Sequence, residues 1–167
     1  MEKEIELKEQ GKISRLTNKT FNFDPRLKDG FFAANYFLKS RKIVGEHEPN
    51  HIVTMQFFQR KDDVKLCGVD EAIALLHTYA VHPEGLLIEA LNDGDIIQYG
   101  EPVLKITGKY ENFGFLESMI DGILARRTSV CTNVYEVMKA LQGNDAFSMA
   151  DRQDDYHTQI GDGYATY

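Results

Sequence analysis

Between Leu116 and Leu141 apolar side chains stand at positions 116, 120, 123, 130, 134, 137 and 141, in alternating steps of four and three with one gap, at 127. That spacing keeps one stripe on one face of an α-helix, so it predicts a long helix over 112–141 packed along its length against the rest of the chain. Gly143 is placed to stop it; Gly122 and the run 128–132 would allow a break into two helices. The gap holds Arg127. Burying a guanidinium without a partner is costly, which leaves three readings: the stem snorkels to water, an internal acid such as Asp121 pairs with it, or an anionic ligand meets it. Arg126 is rotated about 100° away and reads as solvated.

Composition narrows the rest. A chain of 167 residues that is 43% hydrophobic and 27% charged is that of an ordinary globular protein. The net charge of −7 argues against nucleic acid or an anionic membrane as partner. The charge is uneven, with 11 basic and 8 acidic side chains up to residue 60 and 8 and 18 beyond it. Cys67 and Cys131 form no CxxC or Cys/His cluster, so neither a zinc site nor a disulfide framework is expected, and a reducing cytoplasm fits. No apolar run approaches the ~18 residues of a membrane span, and the opening MEKEIELKEQ lacks the apolar stretch of a signal peptide.

Residues 1–20 read as a loose polar lead-in. Pro25 and Asp29-Gly30 mark turns, and Phe31, Phe32, Tyr36, Phe37 and Leu38 predict a short amphipathic helix over about 29–39. Residues 51–60 alternate as a strand. Asp70 is the expected N-cap of the next helix, with Glu71 in its first turn and Ile73, Leu76 and Ala80 on its apolar face; Pro83 and Gly85 end it. Strands follow at 86–91 and 102–110, joined by NDGDIIQYGE, whose Asn92-Asp93-Gly94 and Tyr99-Gly100 signal turns. The unit 87–108 resembles half of a biotinyl/lipoyl barrel, but the Asn92-Asp93-Gly94 tip has no lysine for a prosthetic group, so a β-module without carrier function is expected.

The tail reads as a strand at 146–151, a polar loop, a Gly-rich turn and a helix entering near Tyr164. Gly161-Asp162-Gly163 lacks the third glycine of a dinucleotide loop. Asp154, Asp155 and His157 read as a solvated loop rather than a cation site, and Cys131 as a packed thiol. Arg152, just past a strand and followed by polar residues and glycines, sits where α/β folds place anionic ligands. Its fork suits phosphate or carboxylate, so Arg152 is the principal candidate for anion binding.

Taken in order, DPRLKDGFFAANYFLKSRKI, VTMQFFQR, GVDEAIALL, NDGDIIQYGEPVLKITGKY, FLESMIDGILARRTSVCTN and MADRQDDYHTQIGDGYA resemble the N-terminal part of a nicotinate phosphoribosyltransferase, over roughly residues 21–167. The resemblance implies an α+β fold: an open-faced α/β N-terminal domain, as in nicotinate and quinolinate phosphoribosyltransferases, over residues 1–145, and the first strand and loop of a truncated α/β barrel over 146–167. It implies transfer of a phosphoribosyl group from phosphoribosyl pyrophosphate to the nitrogen of nicotinate, in NAD biosynthesis. In a full-length enzyme Mg²⁺ and, in many relatives, ATP take part. Arg152 matches an arginine lining the substrate pocket, and Asp29 and Phe31 match an N-terminal motif whose aromatic stacks on the pyridine ring in a partner subunit's site, which implies a dimer. His157 and Gln159 on the same tail are further substrate-binding candidates, as is Arg127, which rests on its stripe position alone. No catalytic residue and no metal ligand is singled out. Quinolinate enzymes place an arginine after a glutamate near the long helix; here Glu111 is followed by Asn112, which favours nicotinate. This chain alone is expected to be inactive, and a non-catalytic module binding an anion or a partner is the alternative.

Overall fold

The computed structural model describes residues 8–9, 11–12, 15–16, 19–149 and 152–167. Two short strands, β1 (Lys8–Glu9) and β2 (Gly11–Lys12), pair antiparallel at the start. The rest of the expected lead-in, residues 1–7, 10, 13–14 and 17–18, lies outside the described residues. The lead-in is not all loose. Arg15 has a nearly buried side chain and donates to Asp70 Oδ1 at 2.8 Å, and the Leu16 N–H donates to Asp70 Oδ2 at 2.9 Å.

A 3₁₀ turn, Pro25–Asp29, ends at Gly30. Helix α1 (Asn35–His47) starts six residues later than the aromatic spacing predicts. Gly30 has φ +71° and Ala34 is extended, so the backbone between them cannot continue a helix. Strand β3 (Ile52–Phe58) leads to β4 (Val64–Lys65), then α2 (Val69–Tyr79). A 3₁₀ turn at Pro83–Gly85 precedes β5 (Leu87–Ala90), β6 (Ile96–Ile97) and β7 (Pro102–Lys109). Then come α3 (Tyr110–Phe113), a 3₁₀ turn Gly114–Leu116, α4 (Glu117–Leu141) and α5 (Gln159–Thr166).

The main sheet is antiparallel in the order β3-β7-β5, with β7 central. Strand β4 pairs with β6, which lies inside the segment expected to be a simple turn between β5 and β7. Alternation assigns the faces. Phe57, Leu104 and Ile106 are buried, joined by half-buried Met55 and Ile88, whereas Ile52, Thr54, Gln56, Leu87 and Glu89 are exposed. On the exposed face the Thr54 and Thr107 hydroxyls meet at 2.8 Å across paired positions. On the buried face the sheet packs with Val69, Ala72, Ile73, Leu75 and Leu76 of α2 and with Phe113, Phe115, Leu116, Ile120 and Leu124. Each such side chain removed from water contributes about 1.5–3 kcal/mol. The result is an α+β fold, helices on one side of an open-faced sheet.

Helix α4 runs 25 residues without a break at Gly122 or at 128–132. Its stripe does not pack throughout, however. Ile120, Leu124, Arg127 and Thr128 are buried, Val130 and Val134 are half-buried, and Val137 is 48% exposed. The left-handed turn that ends it is made by Gln142 (φ 50°) together with Gly143 (φ 96°). Residues 144–149, where a strand was expected to open, carry no regular structure, and 150–151 lie outside the described residues. Among the described residues no strand pairs with this segment. The closing helix begins at Gln159 rather than near Tyr164, so the glycines at 161 and 163 are inside α5 and form no turn.

Asp70 does not cap α2. Gly68 occupies the N-cap position and Asp93, in the turn after β5, accepts from the Val69 N–H at 2.8 Å and the Asp70 N–H at 3.3 Å. Asp93→Ala should lower stability by about 1 kcal/mol, read as a lower urea midpoint at unchanged slope. Asp93→Asn, which keeps an acceptor, should lose less than half as much.

Candidate functional site

The tail lies across the helices that carry the core. Arg127, from the gap in the α4 stripe, is 8% exposed. Its Nε donates to Glu71 Oε2 at 2.7 Å and Nη2 to Glu71 Oε1 at 3.1 Å, while Nη1 donates to Asp162 Oδ1 at 2.5 Å and to the Thr158 carbonyl at 3.4 Å. Of the three readings of position 127, the structure has the internal ion pair, with Glu71 on α2 and Asp162 on α5 in place of Asp121. Arg126 is not simply solvated either. Its Nε and Nη2 take both Asp162 oxygens at 3.0–3.1 and 2.7 Å, and Nη2 reaches Asp154 at 2.8 Å. Gly161 makes room for this arrangement, because a Cβ there would overlap the Arg127 guanidinium. Tyr164 adds a hydrogen bond to Asp93 at 3.0 Å and an edge-on contact with Phe21 at 5.9 Å.

These contacts fix Asp154 and α5 against α4, and with them the segment 152–158 that leads into that helix. Arg152, Asp155 and His157 are exposed, and Gln159, half-buried, opens α5. The Asp155 carboxylate accepts from the His157 N–H at 2.8 Å and faces His157 Nδ1 at 3.0 Å. His157 in turn acts electrostatically on Asp24. Arg26 donates through Nε and Nη2 to Asp24, which with a backbone bond from its own N–H lowers the Asp24 carboxyl to about 2. The Arg26 guanidinium lies 4.6 Å over the Phe31 ring and 5.1 Å over Phe32. Phe31 is 65% exposed, and Asp29 is exposed at the end of the 3₁₀ turn. The structure therefore brings His157 and the Asp24–Phe31 turn to one side of the chain, and it turns Arg127 inward to Glu71 and Asp162.

Two hollows lie elsewhere. One of about 420 Å³, between α4 and the ends of β3 and β6, is lined by Phe57, Ile97, Leu124 and Asn133, with Lys61 and Asp121 among its polar groups; burial raises the Asp121 carboxyl. The other is a shallow cleft where Arg41 and Lys42 of α1 face Glu111 and the buried Asn112. Arg41 stacks at 4.4 Å on Phe115. Among the described residues no three His, Cys, Asp or Glu side chains converge where a metal ion could sit, so no ligand set in this chain is assigned to the Mg²⁺ or ATP that the resemblance implies. No helix is long and apolar enough to cross a membrane.

Residues 34–128 match the family model described as the quinolinate phosphoribosyl transferase N-terminal domain, more than half of the chain. The chain belongs to that family. No curated protein matches the sequence. Among solved structures, the nicotinate-nucleotide pyrophosphorylase from Pyrococcus furiosus superposes with a TM-score of 0.75 at 24% identity, over 88% of this chain and 38% of that one. The nicotinate-nucleotide pyrophosphorylase from Francisella tularensis gives 0.58 at 14% identity, over 87% and 52%. Human nicotinic acid phosphoribosyltransferase gives 0.65 at 12%, over 78% and 33%. These likenesses are of fold, and the chain spans between a third and about half of each relative. The matched family segment contains Arg126 and Arg127; Asp162 and the 152–159 tail lie beyond it.

Sequence reasoning missed Arg15, Asp93, Asp162 and the role of Arg126. The charged residue in an apolar stripe was the usable signal, since it demands an acid without saying which.

Removing Arg127 leaves Glu71 buried without its cation and Asp162 with Arg126 alone, so Arg127→Ala should cost about 3–5 kcal/mol in chemical denaturation. Gly161→Ala should cost about 1–3 kcal/mol by overpacking. Burial pushes the Asp162 carboxyl upward, but hydrogen bonds and charge from Arg126 and Arg127 outweigh it and hold it below its ordinary range. A carboxyl depressed in the folded state contributes stability that is complete above the ordinary range and is lost as pH falls through the folded value. Stability should therefore drop as pH falls below about 4, and Asp162→Asn should flatten that limb of the stability–pH curve.

Proposed function

We propose that this chain is the N-terminal portion of a nicotinate phosphoribosyltransferase, whose whole enzyme joins the nicotinate nitrogen to ribose C1 of phosphoribosyl pyrophosphate and releases pyrophosphate, giving nicotinate mononucleotide. The observation that carries it is the family match over residues 34–128. For the substrate, support comes from Asn112, a buried neutral side chain directly after Glu111 where an arginine would serve a second carboxylate. On this reading residues 1–145 are the N-terminal domain and 146–167 open the barrel.

The reaction needs little nucleophilic help. As the C1–pyrophosphate bond loosens, positive charge grows on the ribose and negative charge on the leaving group. The protein's task is to hold the two reactants in line and to neutralise phosphate charge. In this reading the exposed Arg152 supplies a bidentate donor to an anionic substrate group, with His157 and Gln159 on the same segment as further polar contacts. Phe31 presents an open ring face that stacks on a pyridine in a second subunit. Asp29, exposed at the end of the 3₁₀ turn, stands two residues before it. The protein acts inside the cell as a homodimer, without nucleic acid or membrane partners. Mg²⁺ and ATP belong to the whole enzyme, and no step by these residues depends on them.

The test is an assay of the whole enzyme with nicotinate, quinolinate or nicotinamide and phosphoribosyl pyrophosphate, following pyrophosphate and the mononucleotide. Nicotinate should be the substrate; turnover of quinolinate with release of carbon dioxide would overturn the substrate, and no turnover of any pyridine would favour the non-catalytic binding module. Arg152→Ala should raise KM for an anionic substrate by about 10–100-fold, the loss of one charge-assisted hydrogen bond. At a substrate concentration where Phe31→Ala and Arg152→Ala are each slow, mixing the two kinds of subunit should restore part of the activity if the site is shared, and none if it is not.

A further inference from the structure

Away from the tail, two hydroxyl clamps bring the only two cysteines of the chain together. Thr128 Oγ1 accepts from the Cys67 N–H at 3.2 Å and donates to the Cys67 carbonyl at 2.9 Å. Four residues on, Thr132 Oγ1 accepts from the Lys65 N–H at 3.1 Å and donates to the Lys65 carbonyl at 3.2 Å. The spacings agree: four helical residues rise about 6 Å, and two extended residues about 6.6 Å. Residues 65–67 therefore lie along α4 in one register, antiparallel to it. Cys131 lies in the helical turn between the clamps, on the stretch of α4 along which residues 65–67 are held, and the two thiols shift one another's protonation. Cys67 is 2% exposed, whereas Cys131 is half-buried and reaches solvent.

We propose that Cys67 and Cys131 form a reversible intrachain disulfide under peroxide, with Cys131 reacting first. The Cys131 thiolate attacks one peroxide oxygen; the O–O bond breaks, the departing oxygen takes up protons and leaves as water, and Cys131 becomes a sulfenic acid. The Cys67 sulfur then attacks the Cys131 sulfur. The S–O bond breaks, and the hydroxide released takes the Cys67 proton to leave as a second water. Two thiols are oxidised, one peroxide is reduced, and a small thiol such as glutathione reverses the product.

The surroundings favour this order. The neighbouring Cys67 thiol lowers the Cys131 thiol to about 7 against the opposing effect of burial, helped by the Lys65 ammonium on β4 and opposed by the Asp93 carboxylate. The same pairing, with burial and Asp93, pushes Cys67 upward. Tyr164 of α5 also faces this group, with its hydroxyl on Asp93. Low pKa and access belong to the same residue, which is what a peroxide-reactive cysteine needs, and the resolving cysteine stands on the segment clamped alongside it. The cross-link would tie α4 to the segment entering α2, next to Gly68, whose Cα side abuts the Arg127 stem.

The test exposes the chain to hydrogen peroxide at neutral pH, alkylates it under denaturing conditions and reads intact mass and digested peptides. A monomer lighter by two hydrogens, with the Cys67 and Cys131 peptides joined and released by dithiothreitol, is the expected result. Before oxidation, iodoacetamide should modify Cys131 at least about tenfold faster than Cys67 at pH 7. In Cys67→Ser, peroxide should give a dimedone-trapped sulfenic acid at Cys131. Full alkylation of both thiols after peroxide, a disulfide joining two chains, or oxidation confined to Cys67 would each overturn the proposal; the mass reading on the unmutated chain holds whatever the variant's stability.

Discussion

Everything beyond the central sheet and its helices depends on where the Arg127 guanidinium goes. Held between Glu71 on α2 and Asp162 on α5, it ties three helices that are far apart in sequence. Buried ion pairs are poor sources of net stability, because desolvation cancels most of their Coulomb gain. What this one contributes is a single permitted arrangement: with two carboxylates converging on one cation, none of the three helices can move without exposing a buried charge to apolar surroundings.

Through that junction the tail is attached to the domain. Arg126 reaches Asp154 as well as Asp162, so the loop that carries Arg152 and His157 is gripped at one end by α4 and at the other by α5. Phe21, three residues before the Asp24–Phe31 turn, meets Tyr164 of the same tail. Residues at opposite ends of the chain thus share one side of the fold, an arrangement that short-range patterns along the sequence do not foretell.

How much of this was readable depended on range. Helix α4 was legible because its stripe is a local pattern repeated over many turns, and β3 and β7 because alternation and turn residues bound them. The kinship with quinolinate and nicotinate phosphoribosyltransferases, at that coarser level, was legible from six segments in order where no single one decides. The start of α1 was not, since it turns on the left-handed Gly30 and the extended Ala34. Asp93 was missed as the α2 cap because it arrives from 24 residues away. At position 127 the need for a partner could be read, but not which acid would meet it, since Glu71 and Asp162 lie 56 and 35 residues distant. Strand-like composition at 146–149 said nothing of whether a neighbouring strand would be there to pair with it. Of the site residues, Arg152, His157 and Gln159 were grouped by sequence alone, while Arg126, which braces them, was dismissed as solvated.

The vacancy at Gly161 works as a key in this lock. Sliding α5 along α4 by one residue would turn it by about 100° and bring the side chain of Ile160 or Asp162 to the spot where the guanidinium now lies against bare backbone. A helix of eight residues, too short to hold itself straight in water, is thereby indexed to one position by the absence of a single methyl group.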